Sequence, residues 1–183
     1  MQLSPLQLLE YTFDGVSVTP VDGYVADPAF SPGLVFFPGK LAMSADTGHA
    51  LLVEETNYSD YGVTLTLRVA PKEDAQAPYN IHVSVRGVVR MHLRQAEGQA
   101  EERRVLALVN GVSLLYGAVR EMVSSVTSRS AHGPLLLPSL NFADLASHKS
   151  DQATAPALVP SSSTKRKRPT AREKGKTSNT TRV

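Results

Sequence analysis

The chain contains no cysteine and no tryptophan. Without cysteine there are no disulfides, no thiolate metal sites and no thiol nucleophiles, a composition compatible with a reducing cytoplasm. Aromatic residues are sparse, at 6%. No unbroken apolar run reaches the roughly 20 residues needed to span a bilayer, so membrane insertion is not expected. The opening MQLSPLQLLEYTFDG lacks a basic n-region and a continuous apolar h-region, and does not read as a signal peptide.

Catalytic patterns are missing as well. The five histidines, His49, His82, His92, His132 and His148, show no H-E-x-x-H or other compact ligand spacing, so no metal site is expected. There is no G-x-S-x-G elbow. Gly111 and Gly117 are wrongly spaced for a phosphate loop, and no Lys follows them. Glu54 and Glu55 are chain neighbours that would point to opposite strand faces, so they cannot act as a paired acid and base. No enzyme activity and no cofactor are expected.

What is present is an uneven charge and a clear apolar rhythm. From Ser161 to Val183 eight basic residues face Glu173 alone, a charge of +7. With +2 for the whole chain, the other 160 residues carry −5. Beyond about Lys149, Ala, Pro, Ser, Thr and basic residues dominate and periodicity ends. The composition predicts a disordered basic tail over 149–183 after a folded domain over 1–148. Within the tail, Lys165-Arg166-Lys167-Arg168-Pro169 fits a weak contact with RNA, anionic lipid or an acidic protein. It fits a solubilising role equally well.

In the first 100 residues the apolar period is two. Leu9, Tyr11 and Phe13 share a face, and the phase then shifts to Val16 and Val18, predicting a β-bulge at Asp14-Gly15. A long segment over 19–47 is punctuated by prolines and glycines but holds Tyr24, Phe30, Leu34, Val35, Phe36, Phe37 and Leu41. These side chains suit either the cap of a core edge or a ligand contact. Residues 49–57 predict a short strand around Leu51-Leu52-Val53. Residues 61–70 alternate, with Tyr61, Val63, Leu65, Leu67 and Val69 on one face. So do residues 79–93, with Ile81, Val83, Val85, Val89, Met91 and Leu93 inward. Gly87 falls on that inward face and predicts close approach by another element or a bend. Arg86, Arg90 and Arg94 with His82 and His92 form an outward basic stripe with no aromatics among them, unlike a nucleic-acid platform.

The period then becomes helical. Val105, Leu108, Val112, Leu115, Val119, Met122 and Val126 recur every three or four residues, and Val109, Tyr116 and Val123 widen the stripe. Gly111 and Gly117 would each cost about 1 kcal/mol relative to Ala, tolerable where another backbone packs closely. The helix should stop before Gly133-Pro134, followed by the extended Leu135-Leu136-Leu137-Pro138. LNFADLAS over 140–147 predicts a short second helix with Asn141 near its start. The fold class is therefore α+β: a four-stranded antiparallel sheet covered by a long helix, plus a short second helix.

The helix LLYGAVREMVSSVTSR with Arg120-Glu121, then Gly133-Pro134, then LLLPSLNFADL to Leu145, resembles the SecB family of protein-export chaperones. The resemblance is strong over about 105–145, looser over 6–94, and does not reach the tail. It implies a cytoplasmic, ATP-independent holdase that binds unfolded precursor proteins and passes them to the SecA motor of the translocase. It also implies a homotetramer, a dimer of dimers, with the long helices sandwiched between two sheets. On this chain the interface would fall on Val112, Leu115, Val119, Met122 and Val126. A client groove would lie between the 19–47 crossover and the segment after the helix, with Phe30, Leu34, Phe36, Phe37, Leu135, Leu137 and Phe142 as contacts. Glu54 and Glu55 would belong to the surface that meets SecA, although nearby arginines dilute its charge. Two other readings stay open: a SecB-like chaperone dedicated to one client such as an antitoxin, and a nucleic-acid-associated protein acting through its basic tail.

Overall fold

The computed structural model describes residues 4–25, 41–73, 76–92 and 99–146. Four strands, β1 (Leu6–Pro20), β2 (Leu41–Glu54), β3 (Tyr58–Pro71) and β4 (Tyr79–His92), precede one long helix, α1 (Ala100–Thr127). The strands form one sheet in the order β1-β4-β3-β2, with every pairing antiparallel. The expected α+β architecture is present. The short second helix is a single 3-10 turn, Ala143–Ala146, opened by Asn141, whose Oδ1 accepts the Ala143 N–H at 3.0 Å.

Strict alternation in β3 and β4 turns one side chain in two toward α1. Val63, Leu65, Leu67, Val83, Val85, Val89 and Met91 are at or near zero exposure. Burying each such side chain contributes about 1.5–3 kcal/mol relative to leaving it exposed. The helix answers with Val112, Leu115, Val119 and Val123, all fully buried. Two glycines set how closely the layers approach. A Cβ at Gly87 would lie 2.9 Å from both Leu115 Cδ2 and the Glu10 carbonyl oxygen, and one at Gly111 would lie 2.9 Å from Val63 Cγ2. Gly117 has open space instead, so no close packing among the described residues accounts for it.

β1 carries the expected register shift between Phe13 and Gly15, and a second between Leu8 and Glu10 that alternation did not reveal. The two shifts bring Leu6, Leu8, Tyr11, Phe13, Val16 and Val18 to the helix side by register. β2 is much longer than the short strand expected. It starts at Leu41, inside the 19–47 segment expected as a crossover, and pairs with β3 along its whole length, with a shift between Leu51 and Val53. α1 starts where the Glu102 carboxylate accepts the Gln99 backbone N–H at 2.9 Å, which places acid at the positive end of the helix dipole. By length and composition alone α1 would suit a membrane span, but one of its faces packs into the sheet core. It ends in a turn that reverses at Gly133, φ +77°.

Candidate functional site

After that reversal the chain runs back along α1. Leu135 N–H donates to Thr127 Oγ1 at 2.9 Å, Arg120 Nε donates to the Leu137 carbonyl oxygen at 3.0 Å, and the Tyr116 hydroxyl donates to the Pro138 carbonyl oxygen at 2.6 Å. Burial pushes the Tyr116 hydroxyl up to about 12, against an opposing pull from Arg120, so it stays protonated as the donor this bond requires. Phe142 packs edge-on against Tyr116 with ring centroids 5.4 Å apart.

This geometry sorts the side chains chosen from sequence. Leu135, Leu137 and Phe142, expected to contact a client, face inward at 0%, 1% and 8% exposure. Their apolar surface is spent on the chain's own core, because alternation along 135–138 turns Leu136 outward instead. The outward residues here are Leu136 and Leu140. Phe30, Leu34, Phe36 and Phe37 lie outside the described residues, as does the basic tail. Of the expected interface set, Val112, Leu115 and Val119 are fully buried against the sheet, while Met122 and Val126 are half-buried. Leu106 and Leu114 stand exposed on α1, and Gly117 is exposed among them. Helical periodicity marked the apolar positions but could not say which layer would cover each one.

Where Val105, Leu106 and Val109 of α1 meet Ala143 and Ala146 there is a shallow, mostly apolar cleft of about 440 Å³, rimmed by Glu101 and Glu102. On the edge strands, Leu9, Tyr11 and Val16 of β1 and Leu51, Leu52 and Val53 of β2 are also well exposed. Glu54 and Glu55 follow directly and are exposed.

The outer sheet face is not the free basic stripe the sequence suggested. Arg90 holds Asp60 through two bonds, Nε to Oδ1 at 2.7 Å and a terminal nitrogen to Oδ2 at 2.8 Å, and lies over the Tyr58 ring at 3.9 Å. The bond to Asp60 pushes the Arg90 guanidinium further up. Arg86 pairs with Asp14 at 3.2 Å, and Arg68 pairs with Asp46. Each arginine is matched by an aspartate on a neighbouring strand, a relation invisible in sequence because the partners are 22 to 72 positions apart. Arg94 lies outside the described residues. Among the described residues no three His, Cys, Asp or Glu side chains stand together as a metal site would need.

A sheet backed by one helix, with arginine–aspartate pairs on its outer face and apolar side chains exposed on its edge strands and along α1, defines an α+β scaffold. The model of the SecB family, described as preprotein translocase subunit SecB, matches residues 42–153. This chain belongs to the SecB family, a family of chaperones rather than enzymes. Two solved structures are similar. One is the Mycobacterium tuberculosis Rv1957 SecB-like chaperone in complex with a ChAD peptide from the Rv1956 HigA1 antitoxin, at 17% identity over 74% of this chain and 91% of that chain, with a TM-score of 0.45. The other is a protein of unknown function from Streptococcus agalactiae, at 10% identity over 73% of this chain and 96% of that one, with a TM-score of 0.47. No curated protein matches the sequence.

Proposed function

We propose that this protein is an ATP-independent holdase that binds unfolded precursor proteins in the cytoplasm and works as a homotetramer, a dimer of dimers. The observation that carries the reading is membership of the SecB family across 42–153. The exposed apolar residues of α1, of the segment after it and of the two edge strands support it. An unfolded client offers apolar side chains and unpaired backbone. Several shallow apolar surfaces on one oligomer bind such segments weakly one by one and tightly together.

The client groove lies between the crossover that leaves β1 and the segment that leaves α1, with Phe30, Leu34, Phe36 and Phe37 on the crossover side. On the helix side, Leu136 and Leu140 replace the buried Leu135, Leu137 and Phe142 as contacts. The tetramer interface draws on Leu106 and Leu114 with the half-buried Met122 and Val126. Hand-over to SecA would use Glu54 and Glu55, the exposed acids at the end of β2.

The test is suppression of aggregation of a chemically unfolded protein without ATP. Activity is expected, and it should weaken when Phe36 and Phe37 are both changed to Ser, each fully buried Phe being worth roughly 1.5–3 kcal/mol of contact. The tetramer should survive that change. Inactivity toward several unrelated unfolded proteins would overturn the general holdase and favour a chaperone dedicated to one client.

A further inference from the structure

Glu101, Glu102, Val105, Leu106 and Val109 fall on one face of α1 by helical spacing. With Ala143 and Ala146 they line the apolar cleft of about 440 Å³ described above. Its floor is apolar and its rim is acidic. The Glu101 side chain is 67% exposed and forms only a loose pair with Arg104, at 3.8 Å. Glu102 spends one carboxylate oxygen on the Gln99 N–H. Asp144, between the two alanines in sequence, is exposed. Arg103 and Arg104 follow the two glutamates at once, but neither lines the cleft, and Arg104 is bonded to His49 on β2.

Ala146 is part of the cleft wall and is also where the described chain stops. The 37 residues that follow therefore start at the cleft. Most of them are polar or basic. Leu158-Val159 is the one pair of large apolar residues among them, and Lys165-Arg166-Lys167-Arg168 comes shortly after it. An apolar anchor followed by a run of cations is the complement of an apolar floor with an acidic rim. Leu158 lies 12 positions beyond Ala146, and a linker of that length spans roughly 20 Å. A cleft at the linker's own root is well within reach. Such a tether gives an effective concentration on the order of millimolar, far above that of a separate chain at micromolar levels. Exposed ion pairs alone contribute little, so the apolar pair is needed as well as the charge.

We propose that the segment from Leu158 to Arg168 is an internal ligand of this cleft. Leu158 and Val159 cover Val105, Leu106 and Val109, and the cations after them face Glu101, Glu102 and Asp144. Apolar segments of other chains have to displace it to reach the same surface. Occupancy is partial, about half to three-quarters, because the entropy of ordering the linker offsets much of the contact. The contact stands apart from the holdase reading and would form in a protein that binds no client.

The experiment uses the full chain, which has no cysteine to remove. Spin labels are placed at Ser128→Cys, exposed at the end of α1, and at Ser163→Cys, between the apolar pair and the cations. Labelled chain is diluted with unlabelled chain so that distances within one chain are read. The helical rise puts Ser128 about 35 Å along α1 from Val105. A discrete population near that distance is expected above a broad background. It should shrink in Leu158→Ser with Val159→Ser, in Glu101→Gln with Glu102→Gln, and when salt is raised from about 0.1 M to about 1 M. Glutamine at position 102 keeps the capping box, and none of these positions belongs to the proposed tetramer interface. The second measurement is binding of a fluorescein-labelled peptide of residues 155–170. It should bind the Leu158→Ser, Val159→Ser chain two- to fourfold more tightly than the unsubstituted chain, whose cleft is taken part of the time. That factor corresponds to about 0.4–0.8 kcal/mol, so the melting temperature should move by only about 1–3 °C.

A distance distribution indifferent to all three changes overturns the proposal, and so does equal peptide binding by the two chains. Peptide binding without a discrete population inside one chain would assign the cleft to another polypeptide, an unfolded client or a neighbouring subunit, and overturns it too. Loss in the serine variant alone, with the glutamine variant and high salt without effect, removes the acidic rim from the site and overturns the pairing of charge proposed for it.

Discussion

Arg104 donates from its Nε to Nε2 of His49 at 2.6 Å, tying the second turn of α1 to the edge strand β2. The bond fixes the imidazole as an acceptor at that nitrogen, with its proton on Nδ1. Burial lowers the His49 pKa, the Arg104 charge lowers it further, and Glu101 pulls the other way.

The sign of the pH effect follows. A folded-state pKa below the ordinary 6.5 means that the unfolded chain binds the proton more readily. The contribution is complete above pH 6.5 and is lost as pH falls through the folded value. Protonation sets two donors face to face. The difference in melting temperature between the wild type and His49→Gln should therefore narrow as pH falls from about 7 to about 5. A constant difference would show that the contact does not titrate.

The glycines predict opposite outcomes. Gly87→Ala pushes a methyl group into the Glu10 carbonyl and Leu115 and should cost about 1–3 kcal/mol, a fall of about 2–4 °C per kcal/mol for a chain of this size. Gly117→Ala meets nothing among the described residues and should gain about 0.5–1 kcal/mol from helix propensity. A lower melting temperature in that variant would mean that another segment or a neighbouring subunit occupies the space. Thermal unfolding followed by circular dichroism checks both.

Core and interface should separate by mutation. Leu115→Ala removes a fully buried side chain and should destabilise the fold by about 2–5 kcal/mol. Leu106→Asp with Leu114→Asp changes two exposed positions. It should keep the circular dichroism of the wild type while native mass spectrometry shows the tetramer lost, because an interface would bury two unpaired charges. A tetramer that survives the pair places the interface elsewhere.

Truncation at Lys149 should leave the melting temperature nearly unchanged, because the tail's composition has too little apolar content to offset the entropy of ordering. A loss of several degrees would show that the tail docks onto the domain.

The strands of the sheet centre were readable because residues on β3 and β4 alternate without interruption, and the bulge near Asp14-Gly15 because the apolar phase breaks there. Gly87 stood out as the one small residue in an inward row. The first half of β2 was hidden: Leu41, Met43, Ala45 and Thr47 alternate weakly, close behind prolines and glycines that suggest a loop. The assignment of Leu115 and Val119 to an interface went to the chain's own core because a 3.6-residue period reports that a face is apolar, not what covers it. The arginine–aspartate pairs and the contact of His132 with Val21 join positions remote in sequence, and nothing local announces them.

Among the described residues the sheet ends in two strands of 15 and 14 residues, β1 and β2, each paired on one side only and each showing open apolar side chains. Such rims are templates for further strand pairing, and the register shifts in both strands are the kind of irregularity that blunts them. In the proposed tetramer a lone subunit would be an exposed intermediate, persisting only until another copy or another chain covers the rim. Apparent stability of that tetramer should rise with protein concentration by mass action, and a dissociated subunit would show the same kind of open apolar surface that a chaperone exists to cover in others.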